Sequence, residues 1–222
     1  MIHRRPFAIL GLSLLLFAGC IPNRSVTYQL SFSVTGAPEQ RDLAEAALRV
    51  VERRLESMGE TLVDKNVKTG TDTADLAITV SGAAPVDVLT EQLQEPIKFR
   101  IMAQAPDDRA DIIVTGHGGF KETGINDSSL YSVQASQDSS GKGVITLNFT
   151  PEGRKILAKV FKANKGKYLG LFVRGKLASK LLVETDTLLD QIVIRDLPSA
   201  DLARVFADDI NVGLHVSFSP RS

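Results

Sequence analysis

The sequence is poor in the residues that build disulfides and metal sites. It has one cysteine, three histidines and no tryptophan among 222 residues. A single thiol excludes an internal disulfide, and a zinc site would need two histidines plus carboxylates. The cysteine is Cys20, and the histidines are His3, His117 and His215. We therefore expect no bound metal and no cofactor.

Charge of one sign is not in excess either, because 26 lysines and arginines balance 26 aspartates and glutamates. This balance provides no long-range attraction for nucleic acid, so we expect no nucleic-acid partner. Long apolar runs are also scarce: the most apolar segment is residues 7–17, and 11 residues are too few to span a bilayer. With 43% hydrophobic and 23% charged residues, a chain of this length can bury a core without disulfides.

The amino terminus has the pattern of a cleavable export signal over residues 1–19. A basic start precedes the apolar run, and the segment LLLFAGC ends in two small residues before Cys20. This segment resembles the bacterial lipobox, which implies a covalent lipid on the Cys20 thiol and cleavage just before it. The open alternative is an ordinary secretory signal that is cleaved elsewhere. The lipobox predicts a protein of the cell envelope, anchored on the extracytoplasmic side, which is the periplasmic face of the inner or outer membrane if the organism is Gram-negative.

Residues 28–103 follow a regular succession of strand and helix patterns. An alternating strand comes first, Pro38 then opens a helix with apolar residues at helical spacing, and Gly59 is a natural stop for it. Two strands, a second helix over residues 84–95 and a strand over residues 97–103 follow. The order βαββαβ is the ferredoxin-like pattern.

The rest of the chain is predicted to contain two connecting segments and a second α+β unit. A tether is expected at residues 20–27, and the polar run QAPDDRA predicts a hinge or linker over residues 104–111. Residues 112–222 form the second unit, in which Thr150 is a predicted N-cap and Pro151 the first helical residue. Its later elements are predicted as strands at 168–173, 176–183 and 192–194, a helix from Pro198 to Gly213 and a strand at 214–218. The expected fold is α+β: a ferredoxin-like base followed by a second α+β subdomain, without a transmembrane helix in the mature chain.

Four runs of the second unit stand in a recognisable order. They are TGINDSSLYSVQAS, VITLNFTPEGRKIL, NKGKYLGLFVRGKLAS and LPSADLARVFADDINVG. Together with VVERRLESMGE in the first unit, they resemble the first periplasmic domain of SecD, a membrane subunit that assists protein export after translocation through the Sec channel. The resemblance covers residues 28–218. It implies a base and a head subdomain, with the head contacting extended polypeptide that emerges from the translocon.

The sequence also departs from SecD. Arg174 stands where the family usually has an aspartate before the turn glycine, and residues 178–180 read Ala-Ser-Lys instead of Ser-Ala-Pro. SecD carries transmembrane helices on both sides of this domain, and its use of protons depends on charged groups inside them. Here a lipobox takes the place of the leading helix, so we expect no proton-driven activity from this chain by itself.

The function that the resemblance implies is a membrane-anchored, extracytoplasmic protein-binding lipoprotein, accessory to Sec-dependent protein export. Its expected partners are the membrane, through the lipid, and exported polypeptides or Sec translocon components; no individual residue is assigned to partner binding. The alternative is a structural or envelope-binding lipoprotein that has kept the fold without the export role. We expect no enzyme, because GHGGF lacks the G-x-S-x-G partner motif of esterases and NKGKY lacks the spacing of a phosphate-binding loop.

Two further segments allow a structural expectation. The mixed charges of Glu52, Arg53, Arg54 and Glu56 predict a solvated helix face. Residues 112–130 combine apolar side chains with many glycines, which fits either a mobile contact surface or a satellite core under a long loop.

Overall fold

The computed structural model describes residues 23–81, 84–185 and 191–221. The predicted signal and Cys20 lie outside the described residues. The helices are α1 (Ala37–Ser57), α2 (Ala84–Gln94), α3 (Pro151–Ala163) and α4 (Ala200–His215). The strands are β1 (Asn23–Phe32), β2 (Leu62–Thr69), β3 (Thr73–Ser81), β4 (Phe99–Ala105), β5 (Ile112–Val114), β6 (Gly118–Asn126), β7 (Leu130–Gln137), β8 (Gly143–Phe149), β9 (Tyr168–Val173), β10 (Lys176–Leu182), β11 (Gln191–Leu197) and β12 (Val216–Arg221). The α+β class is confirmed, and no helix in the described ranges is both long and apolar enough to cross a membrane.

Four strands and two helices form the base lobe. The strands are antiparallel in the order β12-β1-β3-β2, and α1 and α2 share one apolar core with them. Alternate residues of β3 are buried, from Ala74 to Val80, while those between them stay partly exposed. This period of two is typical of a sheet with one covered face.

The ends of α1 and α3 lie where the sequence predicted them. Pro38 is in the first turn of α1, and Gly59, just beyond its end, has φ +78°, a left-handed conformation that favours glycine. At α3, Pro151 is the first helical residue, and the Thr150 hydroxyl accepts a hydrogen bond from the backbone N–H of Gly153 at 3.0 Å. An N-cap of this kind contributes about 1 kcal/mol to stability.

The strand predicted at residues 97–103 does not close the base sheet. It forms β4, which pairs with β6 and β9, whereas β12 lies beside β1. Burial explains why β4 belongs to the head and not to the base sheet. The neighbours Ile101 and Met102 point to opposite faces of β4 and are both buried, so other elements must pack on both faces of this strand. In β12 only Phe218 is buried, which suits an edge strand. The chain therefore does not divide into units at 28–103 and 112–222.

The head lobe has two sheets over one core and is inserted between α2 and β12. The five-stranded sheet has the order β10-β9-β4-β6-β5, and the three-stranded sheet has the order β11-β8-β7. The core contains residues from the two sheets and from helices α3 and α4, among them Phe99, Leu147, Leu157 and Ile210. A smaller cluster contains Met102, Phe120 and Phe172. Because Phe120 is buried there, the structure supports a satellite core within residues 112–130.

The two predicted connecting segments are occupied by regular structure. β1 begins at Asn23, which lies opposite Ser81, so the predicted tether at 20–27 overlaps a strand. The predicted hinge at 104–111 does not join two lobes, because its first residues continue β4 and the next strand, β5, belongs to the same sheet. A turn of 3-10 helix at Asp107–Arg109 connects them. The polar, proline-containing composition of this run suits a surface turn as well as a hinge.

Gly213 does not end α4, which continues to His215. A Cβ atom at Gly213 would lie 2.7 Å from the Cβ of Ile97, closer than side-chain atoms approach. The glycine therefore serves a close approach of α4 to the chain entering β4, at the point where the head joins the base.

Candidate functional site

The apolar surface of α4 is wider than the head core requires. Its residues buried in that core include Ala203, Ala207 and Ile210. Three further apolar residues of α4, Leu202, Val205 and Phe206, line a groove that opens to solvent. Leu202 is 47% exposed. A helix that only packed on the core would place polar side chains at these positions.

The groove lies between the edges of the two head sheets and has a volume of about 430 Å³. β10 contributes Ala178 and Ser179, β11 contributes Ile194 and Leu197, and α4 contributes its apolar side chains. A concave, mainly apolar lining with a few polar groups is typical of binding sites, and this volume accommodates several side chains of a ligand.

Both strands that flank the groove are edge strands. In the described part of the chain, β10 pairs only with β9, and β11 pairs only with β8. The outer side of such a strand presents backbone N–H and C=O groups to which another extended chain can bind.

The edge of β7, at the other side of the three-stranded sheet, is covered. The Asn211 side chain accepts from the Val133 backbone N–H at 2.8 Å and donates to the Val133 carbonyl at 2.7 Å. Asn211 thus bonds with the strand as a neighbouring strand would. One turn later in α4, the His215 Nε2 donates to the Tyr131 carbonyl at 2.8 Å. Side chains of α4 therefore cover the edge of β7, whereas the outer edges of β10 and β11 have no partner strand in the described part of the chain.

A β-bulge shapes the groove side of β11. Pairing with β8 shifts register between Ile194 and Leu197, and Asp196 within this stretch has φ +62°. Aspartate is among the few residues that tolerate this conformation. Lys142 binds Asp196 at 2.8 Å, and this hydrogen bond raises the pKa of Lys142. Bulges are frequent at sheet edges near functional sites, where they redirect side chains.

Charged residues of both lobes meet beside the groove. Arg49 of α1 binds the buried Asp208 of α4, and Arg53 binds both Asp208 at 3.2 Å and Asp209 at 3.1 Å. Asp209 also lines the groove. Of the cluster predicted to form a solvated face, Glu56 is exposed, but Arg53 departs from the prediction because it bonds across the lobe junction.

The two sequence departures both lie in the β9–β10 hairpin, Arg174 in its turn and Lys180 in β10. Arg174 occupies its turn with φ +50°, and its backbone N–H donates to the Lys98 carbonyl at 2.8 Å. The Lys180 ammonium lies over the Tyr168 ring, 4.5 Å from its centroid, and 6.0 Å from that of Phe120. Lys180 thus stabilises the outer face of the head sheet through cation–π contacts.

The histidines do not form a metal site in the described ranges, where no group of three or more potential ligands comes together. His215 is bonded through both ring nitrogens, to Ser33 and Tyr131. His117 lies in the turn between β5 and β6, where its backbone N–H donates to Val114. Cys20, the predicted lipidation site, lies outside the described residues.

The groove itself was not predicted from the sequence. The helical spacing of Leu202, Val205, Phe206 and Ile210 correctly indicated an apolar face on α4. It did not show that this face would be shared between a core and a groove, because that depends on how far β11 stands from β10. The available signal was how far around α4 its apolar residues extend, because a helix that packs on one core needs a narrower apolar face.

No protein-family model matches the sequence, and no curated protein matches it. Solved structures do. SecDF from Thermus thermophilus, described as a translocon-associated membrane protein, is 16% identical with a TM-score of 0.51, over 88% of this chain and 30% of that one. A SecDF structure described as a membrane component that enhances protein export is 18% identical with a TM-score of 0.46, over 88% of this chain and 98% of that one.

A third structure, SecDF in a super-membrane-facing form, is 18% identical with a TM-score of 0.47 and aligns with 90% of this chain. This chain spans 30% of the length of that protein and of the Thermus thermophilus protein. At identities this low the similarity concerns the fold and not the activity. The chain described here has a SecD-like fold.

Proposed function

We propose that this protein is a lipid-anchored, extracytoplasmic module that binds extended polypeptide and is accessory to Sec-dependent protein export. One observation carries the proposal: in a SecD-like fold, an apolar groove lies between two strands whose outer edges are unpaired in the described chain. The proposal takes the link to export from the SecDF structures, described as a translocon-associated protein and as one that enhances export.

The groove supports binding by strand addition. An extended segment beside β11 or β10 would satisfy backbone groups of the edge, and every second side chain would point into the groove. Leu202 and Phe206 offer apolar contact there. Burying a large apolar side chain contributes about 1.5–3 kcal/mol, so a few such contacts support weak, sequence-tolerant binding. Weak binding suits a polypeptide ligand that must be released.

The lipid anchor at Cys20 is the second part of the proposal and is supported by the sequence pattern at residues 14–20. Each buried CH₂ of an acyl chain contributes about 0.8 kcal/mol, so that two or more chains hold a protein firmly on a membrane. Such an anchor would concentrate the groove near polypeptide that emerges from the membrane.

A structural or envelope-binding role is the second candidate, and one observation favours it. The ion pairs of Arg49 and Arg53 with Asp208 restrain the head against the base. A module fixed in this way is suited to a static contact within the envelope as well as to handling polypeptide in transit.

Photocrosslinking in intact cells distinguishes the two candidates. A photoreactive amino acid replaces Leu202 in the groove, and a matched control replaces Val63 of β2, which is 53% exposed and remote from the groove lining. We expect Leu202, but not Val63, to capture newly exported polypeptide, and Cys20→Ala to reduce the capture. Equal capture at both positions, or capture only of envelope components, would refute the export role.

A further inference from the structure

Three basic side chains line one cavity at the end of the five-stranded head sheet where β4 finishes. Arg109 lies in the 3-10 turn after β4, Lys121 in β6, and Lys167 directly before β9. We propose that this cavity, with a volume of about 560 Å³, binds an oxyanion of the phosphate class, either free or as part of a lipid headgroup. The proposal does not depend on the groove binding polypeptide.

The strand register places Lys121 and Lys167 on the same face of the sheet. Ala103 of β4 lies directly opposite Lys121 on one side and Leu169 of β9 on the other. Directly opposed residues of antiparallel strands point to the same face, and so do residues two apart along a strand. Lys167 continues the pairing of β9 with β10, because its carbonyl accepts a hydrogen bond from the Val183 backbone N–H at 3.0 Å. The two lysine side chains therefore project from one face, on either side of β4.

Gly119 allows the turn that carries Arg109 to fold against this end of the sheet. Gly119 lies opposite Ala105 at the end of β4. A Cβ atom at Gly119 would lie 2.6 Å from the Cβ of Ala110, closer than side-chain atoms approach. The small side chain of Ala105 lines the cavity between the lysines. Cations from three separate elements thus border one concave space.

The carboxylates of the described chain do not neutralise this lining. No acidic residue of the described ranges lines the cavity, although Asp107 and Asp108 lie in the adjoining turn. Lys121 and Lys167 form no ion pair with a described residue. Arg109 contacts Asp108 at 4.0 Å, but the two side chains are 72% and 78% exposed, and an ion pair so exposed contributes little.

The sequence around Lys167 has an excess of positive charge. Between Glu152 and Glu184 it contains nine lysines and arginines and no acidic residue, although the whole chain is balanced. These residues belong to α3, the turn after it, β9 and β10. An excess of one sign over neighbouring elements raises the local concentration of counter-ions, most of all in concave surfaces. The cavity is such a surface, so it attracts anions.

A phosphate-class oxyanion matches the donors of the cavity. Each lysine ammonium has three N–H donors, and the planar guanidinium of Arg109 suits a phosphate that accepts two parallel hydrogen bonds. Gln104 also lines the cavity, and its side chain has an amide donor. The volume exceeds what a small anion fills, so the cavity also admits the group to which a phosphate is esterified.

Chemical labelling of lysines tests the site residue by residue. The purified full chain is acetylated with and without inorganic phosphate, and mass spectrometry gives the rate at each lysine. At twice the dissociation constant about two thirds of the sites are occupied, so labelling of Lys121 and Lys167 should fall to about one third. Lys155 and Lys159, exposed lysines of α3 outside the cavity lining, should react as they do in sodium chloride of equal ionic strength.

A substitution distinguishes a shared ligand from general screening. Lys167→Gln should abolish the protection of Lys121 by phosphate, whereas the matched change Lys159→Gln should leave it intact. Both lysines are exposed, so neither change threatens folding.

The same labelling with glycerol phosphate identifies the source of the oxyanion. Stronger protection by the ester than by inorganic phosphate indicates a lipid headgroup, and the reverse order indicates a free anion. Three results would overturn the proposal: no protection by either compound, equal protection of Lys155, or protection of Lys121 that survives Lys167→Gln.

Discussion

Arg49 of α1 and Asp208 of α4 form a bidentate ion pair across the junction of the two lobes, with N–O distances of 2.8 and 2.9 Å. Asp208 is 6% exposed and also accepts from Arg53. The hydrogen bond to Asp208 raises the pKa of Arg49. A buried carboxylate held by two guanidinium groups favours one orientation of α4 on α1, and with it one arrangement of head and base.

Replacing Asp208 tests the strength of this junction. Asp208→Asn keeps the shape but removes the charge, so we expect the free energy of unfolding to fall by about 2–3 kcal/mol. Urea denaturation followed by circular dichroism measures it, since the chain contains no tryptophan. The matched control is Asp201→Asn, on the same helix in an exposed pair with Arg204, and its change should stay within about 0.5 kcal/mol. Equal effects of the two substitutions would contradict a stabilising role for the junction.

Gly213 allows α4 to approach Ile97 closely. A methyl group at this position would overlap the Cβ of Ile97, so Gly213→Ala should lower the free energy of unfolding by about 1–3 kcal/mol. Helix propensity alone predicts the opposite sign, a gain of about 1 kcal/mol. The sign of the change in the free energy of unfolding, measured by urea denaturation, therefore decides between steric overlap and helix propensity. Arg204→Ala, at an exposed position of the same helix, controls for general effects on α4.

Asn211 covers the edge of β7 by bonding with Val133. Asn211→Leu removes both hydrogen bonds and leaves the Val133 backbone groups unsatisfied, so we expect a loss of about 2 kcal/mol. The freed edge should also promote self-association, visible in size-exclusion chromatography. Asn148→Leu, which removes a single side-chain bond to Ser132, is the matched control. If both variants are equally stable and monomeric, Asn211 does not protect the edge.

The groove prediction concerns affinity and not stability. Leu202→Glu places a charge in the apolar lining while leaving the core intact, because Leu202 is about half exposed and is not a member of the head core. We expect the dissociation constant for a fluorescein-labelled peptide of alternating valine and threonine to rise at least about tenfold. Fluorescence anisotropy measures this constant. The matched change Leu182→Glu, at an exposed leucine of β10 outside the groove lining, should have little effect, and equal losses would argue against the groove.

The lipid anchor has its own prediction. Cys20→Ala should abolish incorporation of labelled palmitate and move the protein from the membrane fraction to the soluble fraction or leave its signal uncleaved. The physical reason is that the proposed lipid needs a thiol as its acceptor, and Cys20 is the single cysteine of the sequence. Continued labelling of the variant would show that Cys20 is incidental and that the signal is of the ordinary secretory kind.

Local signals in the sequence predicted local structure well. Pro38, Gly59 and Thr150 mark helix ends because capping and left-handed turns depend on the residues present at those positions. Gly213 misled the prediction, since a glycine that serves close packing looks the same in sequence as one that ends a helix.

Long-range pairing was predicted less well. Alternation in residues 97–103 identified a strand but not its sheet, because β4 and β12 are both compatible with a place beside β1 until their burial is known. The ion pairs of Arg53 and the edges flanking the groove depend in the same way on where α4 and β11 lie relative to distant elements. Composition and periodicity contain no information on those distances.

Amide hydrogen exchange of the full chain, with and without the valine–threonine peptide, tests the central claim most directly, namely that the groove holds an extended polypeptide at a sheet edge. Strand addition should slow exchange in β10 or β11 next to the groove, while β2, the exposed edge of the base sheet, keeps its rates. Exchange that is unchanged in β10 and β11, or slowed to the same extent in β2, would contradict the account.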